Sequence, residues 1–494
     1  MRPGQLSAFI LLLLILITAS FGGCTDFGND FVTNPSLRIT FSRDTLSFDT
    51  IFSNITTSTL EMKVYNPHSK SVKIDRVYLA NGEASGFRFN IDGIPENGAP
   101  LEGIEIWAKD SMSLFVKTTL KHTGSNTPVW VEDSICFIYN TNLQRVLLQA
   151  VAQDVKILRD TFTHSTTLSA DLPYLVYDTL LVSEGVTLTL PPNTQLYFYS
   201  GACLKVEGTL VAEGTHEQPV IMRGHRTDYM LSTTPYDLVP GQWGGVIFTE
   251  TSFNNRLKYT HIRNATKALD LLPSTPDEPK IIIEESVIQN SSSNLVNSIN
   301  CHIEAYNSQF TNSGGSTLYI AGGDALFIHC TIANYFRWPK RNGTALVLSN
   351  YDFSPEDGQE ILYPLERASF HNTIIYGSNS SEISIREREE TAFEHLFDHC
   401  MLKANGTDDE NFVSTVWWGN LPSDKRVDST QFVMIGIDPL TQRLNYQYDF
   451  RLKENSSARQ NANPEISEQF PADMNSINRL DFETPDIGAY EFSY

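Results

Sequence analysis

Basic side chains are scarce in this chain. Its 494 residues carry 36 lysines and arginines against 58 aspartates and glutamates, a formal net charge of −22. Nucleic-acid binding needs a basic footprint, so it is excluded as a general role. A polyanionic glycan is disfavoured, though a local basic groove would still admit one. Cysteine is sparse too, six in all and none in a CxxC pair. Beyond Cys24 the five that remain, Cys136, Cys203, Cys301, Cys330 and Cys400, are an odd number and cannot all pair within one molecule. Buried thiols acting as small apolar side chains are therefore expected, not metal or redox chemistry. HExxH, GxSxG and phosphate-binding glycine loops are absent. No cofactor and no metal site is expected.

Long hydrophobic runs are missing with one exception. Arg2 precedes an apolar run from Ala8 to Ile17, and Ser20-Phe21-Gly22-Gly23-Cys24 follows. Such a run is too short to span a bilayer and fits the apolar region of a secretory signal. Small residues before Cys24 resemble the lipobox of bacterial lipoproteins, with Phe21 departing from the usual aliphatic residue. The resemblance implies a signal peptide over 1–23, lipidation of Cys24, and a membrane as partner through the acyl chains. The expected location is the cell envelope, as an outer-membrane lipoprotein on either the periplasmic or the surface face. Residues 24–35 are polar, Asn-rich and aperiodic, and read as a tether.

What the chain does have is a cadence. Ile262, Ile288, Phe310 and Ile332 are each followed two residues later by Asn264, Asn290, Asn312 and Asn334, with looser echoes at Ile374 and Met401. The steps of 26, 22 and 22 residues imply stacked, nearly equivalent units. Short alternating strands broken by Gly or Pro-Asn, with no helical stretch between, imply coils of a parallel β-helix. Ile288, Phe310 and Ile332 are expected to form one interior column. Asn290, Asn312 and Asn334 are expected to stack at a left-handed corner. About twelve turns, a rod of roughly 55–60 Å, follow from the interstrand spacing.

Residues 36–156 have a different grammar. Alternating segments such as Leu60–Tyr65 and Leu114–Lys117 recur about every ten residues between turn clusters, the pattern of an immunoglobulin-like β-sandwich. From residue 157 to 450 the coil grammar takes over, and 451–494 reads as a C-terminal capping tail. The expected class is thus all-β: a sandwich followed by a solenoid. Gly185–Thr194, Leu204–Thr215, Gly241-Gln242-Trp243-Gly244-Gly245-Val246, Cys330–Tyr335, Tyr448–Leu452 and Pro485–Glu491 resemble the right-handed parallel β-helix lipoproteins of Bacteroidota, in which a sandwich precedes the helix. That family is largely uncharacterised, so the resemblance implies architecture and little activity.

Chemistry is harder to find. Parallel β-helices host polysaccharide lyases and glycoside hydrolases, which need a carboxylate pair, or a base beside a charge-neutralising group. Asp408-Asp409 lies in a polar stretch that reads as a solvated loop, and Asp352, Glu356 and Asp357 match no defined calcium spacing. Asp486, Tyr490 and Glu491 read as fixing a turn. No catalytic residue is assigned. Tyr335, Trp338, Trp417 and Trp418 fall where the repeat is interrupted, and interruptions of a solenoid form loops on one face. These four are the candidate ligand contacts, since flat rings stack on sugars. Six Asp-Ser/Thr triplets, among them Asp49-Thr50-Ile51 and Asp110-Ser111-Met112, resemble the O-glycosylation acceptor of Bacteroidota. The expected role is structural or glycan- or partner-binding, with an envelope protein as the other partner. The alternative is a polysaccharide-processing enzyme of lyase or hydrolase type with catalytic residues spread over several coils.

Overall fold

The computed structural model describes residues 31–493 apart from 160, 232, 233, 339, 340 and 439. Cys24 and the 1–23 leader lie outside the described residues. The protein is predominantly β and divides into two compact units between Asp154 and Val155.

Among its described residues the first unit holds ten strands: β1 (Thr40–Phe41), β2 (Thr45–Phe52), β3 (Leu60–Tyr65), β4 (Val72–Leu79), β5 (Phe87–Ile91), β6 (Ile94–Pro95), β7 (Leu101–Ile106), β8 (Ser111–Thr118), β9 (Val129–Tyr139) and β10 (Asn142–Gln153). They form two five-stranded sheets, ordered β1-β3-β8-β5-β6 and β2-β10-β9-β4-β7. Pairing is antiparallel except between β2 and β10. Strict alternation places Met112, Leu114 and Val116 of β8 inward, against a core shared with Leu46, Ile74, Phe137 and Leu148. Asn140 and Thr141 join β9 to β10 with φ of 46° and 61°, the two left-handed residues that let a tight hairpin follow the strand twist. Val32, within the segment read as a tether, is buried in this core.

The second unit is a curled, solenoid-like stack of parallel strands in three rows. Each coil visits the rows in the same order: Leu269–Leu271, then Pro279–Glu284, then Val287–Ser291. The third row is an eleven-stranded sheet running from Lys156–Leu158 to Val416–Trp417. The first two rows merge into one sixteen-stranded sheet, because Val296–Tyr306 and Leu318–Ile328 run through the corner without a break. All pairings in both large sheets are parallel, so backbone donors and acceptors of one coil are met by the next.

The interior column is in register. Met222, Ile262, Ile288, Phe310, Ile332, Ile375 and Leu402 pair in succession and are fully buried. Each contributes about 1.5–3 kcal/mol through burial. The echoes at Ile374 and Met401 are one residue out of this register. Both point outward and are buried in a separate cluster with the C-terminal tail. A second column, in the second row, is a phenylalanine stack: Phe327, Phe370, Phe397 and Phe412 lie 5.2, 4.9 and 5.0 Å apart in near-parallel planes. The separation is that of adjacent strands. Cys330 and Cys400 point into the same interior, where burial pushes the Cys330 thiol up to about 12.

Asn264, Asn290 and Asn312 occupy a left-handed corner with φ of 67°, 63° and 62°. Asn290 donates to Asn264 Oδ1 at 3.0 Å, a ladder rung between coils. Asn334 departs from the expectation. It continues its strand without left-handed geometry and ties its amide to Ser313 of the coil beneath. The corner that opens the third row is also left-handed, at Tyr259, Glu285, Asn307, His329, Asn372 and His399.

Eleven strands at about 4.8 Å give a stack of roughly 48 Å, shorter than the expected twelve turns. Part of the chain goes into insertions, such as the hairpin Tyr351–Phe353/Glu360–Leu362, and part into the tail. The tail also corrects the expectation of an end cover. The hairpin Phe432–Ile437/Leu444–Leu452 and the segment after it lie along the outer face of the third row, over Ala333, Tyr335, Ile374, Tyr376 and Met401. Those side chains are apolar and point outward, so this face is the one that needs covering. Polar anchors hold the tail: Arg479, paired within the tail with Glu491, to Asn307, Ser467 to His329, and Tyr490 to Gln309. Glu491 and Asp486 accept backbone N–H groups within the final turn.

Candidate ligand-binding groove

The segment after Val416–Trp417, the corner after Ile374–Gly377 and the tail hairpin enclose an open groove of about 700 Å³. It is lined by Lys403, the indole of Trp418, Ser378, Asn379, Ser380, Asp428 and residues of the strand from Phe432 to Ile437. Lys403 Nζ sits 5.1 Å from the Trp418 ring centroid and 4.7 Å from that of Tyr376. It is paired with Asp428 and donates to Gly377 O at 2.9 Å. Burial pushes the Asp428 carboxyl upward, against the pull of Lys403 and Arg337. Arg337, Arg426 and Lys453 complete the lining. Lys453 donates to Ser429 O at 2.8 Å. A second groove of about 390 Å³, which shares Asn379, is lined by Asn294, Tyr319 and Arg386.

Of the four aromatic residues expected to contact a ligand, Trp418 lines this groove. Tyr335 has no exposed surface and packs against Phe432 and Phe450, so stacking on a ligand is closed to it. Trp338 stacks on Tyr446 at 4.5 Å. Trp417 pairs with Leu402 as the last member of the interior column, 7% exposed, its Nε1 donating to Asp408 Oδ1 at 2.9 Å. It belongs to the repeat and does not interrupt it. The cations of the groove escaped sequence reasoning because they are dispersed from residue 337 to residue 453 with no shared motif. Only the adjacent Lys425-Arg426 offered a local signal.

Carboxylates also gather on the outer face of the second row. His302 Nε2 lies 3.0 Å from Glu304 Oε1 and 4.0 Å from Asp324 Oδ1. Tyr306 donates to Glu304 at 2.8 Å, and Arg367 binds Asp324 at 2.6 Å. Both carboxylates are thus already engaged. Asp408 accepts from Trp417 and Asp352 from Tyr319, structural uses for both. In the triplets, Asp49 and Asp110 accept the N–H of the following Thr50 and Ser111 at 2.7 Å. Among the described residues no group of three His, Cys, Asp or Glu side chains is arranged to hold a metal ion.

No protein-family model matches this chain, and no curated protein matches it. Solved structures match weakly. A family 123 glycoside hydrolase from Clostridium perfringens shares 8% identity over 24% of this chain and 26% of its own, with a TM-score of 0.17. The PapD-like domain 7 of human CEP192 shares 12% over 24% and 87%, at 0.16. The catalytic domain of a GH87 α-1,3-glucanase, solved with nigerose, shares 10% over 73% and 68%, at 0.21. The chain spans about a quarter of the family 123 hydrolase. At these scores none of the likenesses bears on fold or chemistry.

Proposed function

We propose that this protein is a lipid-anchored envelope protein that binds carbohydrate in the groove beside Trp418. The carrying observation is an indole placed in an open groove among Ser378, Asn379, Ser380 and Gln442, an apolar platform ringed by hydroxyl and amide groups that suits a sugar. The architectural part of the proposal is an immunoglobulin-like sandwich followed by a right-handed parallel β-helix. With the edge strands β2, β6 and β7 set aside and the other seven lettered in chain order, β1, β3, β8 and β5 read A-B-E-D, and β10, β9 and β4 read G-F-C, the two-sheet arrangement of that sandwich class. For the solenoid, about 98% of parallel strand–connection–strand units in one sheet are right-handed. Anchoring rests on the sequence around Cys24.

A glycan array probed with the protein and with Trp418→Ala tests the binding role. Binding that the substitution abolishes is expected; no retention on any glycan, or retention indifferent to Trp418, overturns it. Mass spectrometry of the envelope form showing Cys24 without acyl chains would remove the anchor. A second reading, polysaccharide cleavage, draws on the His302–Glu304–Asp324 cluster. It predicts release of reducing ends that His302→Ala abolishes.

A further inference from the structure

We infer that the ligand of this groove is an acidic saccharide, recognised through its carboxylate or sulfate groups. The inference rests on the reading of the groove as a carbohydrate site and specifies its chemistry. The chain as a whole carries 22 more negative than positive charges, yet Arg337, Lys403, Arg426 and Lys453 converge on a groove holding one carboxylate, Asp428. Asp428 is ion-paired with Lys403, and among the described residues Arg337, Arg426 and Lys453 form no ion pair, although Arg337 also feels the Asp428 charge. Arg337 is the most telling of them. Its Nε is buried and has no hydrogen-bond partner, and a buried donor left unpaired is destabilising. A guanidinium is a planar fork shaped for a carboxylate or sulfate, and an anion across it would satisfy the orphaned N–H.

The polarity of the site argues for a chain-like ligand. The smaller groove meets the larger at Asn379 and carries Arg386, an exposed residue whose side chain makes no hydrogen bond or ion pair among the described residues. Acidic groups on successive sugar residues would meet Arg386 on one side of Asn379 and Arg337 or Arg426 on the other. Indiscriminate attraction is an insufficient explanation, because the net charge of the chain is −22. Capture must therefore be local.

Affinity electrophoresis of the full chain through gels containing matched polymers tests this: dextran against dextran sulfate, and polygalacturonate against its methyl ester. Retardation by at least one charged polymer is expected at concentrations about tenfold below those needed of its neutral partner, and it should weaken as salt is raised to about 0.5 M, where the Debye length shrinks to roughly 4 Å. Arg337→Gln should reduce it about tenfold. Because Arg337 is partly buried, Arg426→Gln and Arg386→Gln, both at exposed side chains, serve as the variants that leave folding untouched, checked by thermal melting. Equal retardation by charged and neutral polymers overturns the inference while sparing carbohydrate binding. Retardation indifferent to all three arginines, or none by any charged polymer while neutral glycans bind through Trp418, likewise overturns it. Absence of both kinds of binding removes the groove reading as well.

Discussion

In the first unit β10 finds its partner β9 across a two-residue turn; in the second, Phe310 pairs with Ile332 and Ile332 with Ile375, each partner a whole coil away. The antiparallel unit therefore depends on local turn chemistry, such as the left-handed pair Asn140-Thr141. The coil unit depends on a period. That difference governs tolerance. The hairpin Tyr351–Phe353/Glu360–Leu362 sits inside the coil between Ile332 and Ile375 and does not disturb their pairing. Doubling a loop adds only about 0.6 kcal/mol of closure entropy. One residue inserted within a strand would instead turn every inward side chain outward.

The contrast is broken most directly through the core. Phe310→Asp is expected to cost at least about 4 kcal/mol by burying an unpaired charge. Calorimetry should then lose the transition of the coil unit and keep that of the antiparallel unit, with Phe137→Asp doing the reverse. Loss of both from either substitution would show that the units do not fold separately.

Arg479→Met addresses the tail. It leaves Glu491 buried without its ion-pair partner, a loss of about 3–5 kcal/mol. Hydrogen exchange should accelerate across 432–490 while amides of the interior column stay protected. Equal acceleration throughout would make the tail part of the coil's own stability.

The units should also respond to acid with opposite sign. Burial raises and hydrogen bonds from Ser53, Thr123 and Gly124 lower the Asp154 carboxyl, which settles at about 2. Its contribution is complete above its unfolded value and is lost as pH falls through about 2. Glu285, beneath the tail, is pushed up to about 7 by burial, helped by Asp473 and opposed by Asn307, Arg479 and Lys258. Its contribution is complete below about pH 4.5 and is lost as pH rises through about 7. Tail protection should therefore fall over that window by on the order of 1–3 kcal/mol per such group, and Glu285→Gln should remove one share of the slope, leaving that of Glu491, which burial also pushes up to about 7. His329, buried against Ser467 and held neutral by burial, gives an opposing loss as pH drops below its usual range. An unchanged slope in Glu285→Gln would assign the effect elsewhere.

The smallest effect sharpens the corner. Asn290→Ala should cost about 1–2 kcal/mol, since alanine resists left-handed geometry and the rungs to Asn264 and Leu238 are lost. Asn290→Gly should recover the backbone share in denaturant melts. Asn334, which is not left-handed, should gain nothing from glycine.

Much of this architecture could be read before any coordinates. Ile288, Phe310 and Ile332 stack as the cadence required, because a repeat read at fixed spacing reports which residues face the same way. The reading slipped at Ile374 and Met401, where the insertion between coils hides the register and both neighbours, Ile375 and Leu402, are equally apolar. The phenylalanine stack went unseen for the same reason, its members being unevenly spaced. The second corner was invisible because Tyr259, Glu285, Asn307, His329, Asn372 and His399 share a backbone conformation and no side-chain type. Of the aromatic residues singled out, Tyr335 and Trp417 proved to be packing.

Periodicity and alternation by themselves determined that this chain is all-β, with antiparallel sheets ahead of stacked parallel coils, since both are properties of neighbouring residues and their facing. The covering of one flank by the tail, the outward register of Ile374, and the meeting of Arg337, Lys403, Trp418 and Lys453 around one groove were decided only in three dimensions. They join residues far apart along the chain, and which distant side chains meet depends on how many coils and insertions lie between them.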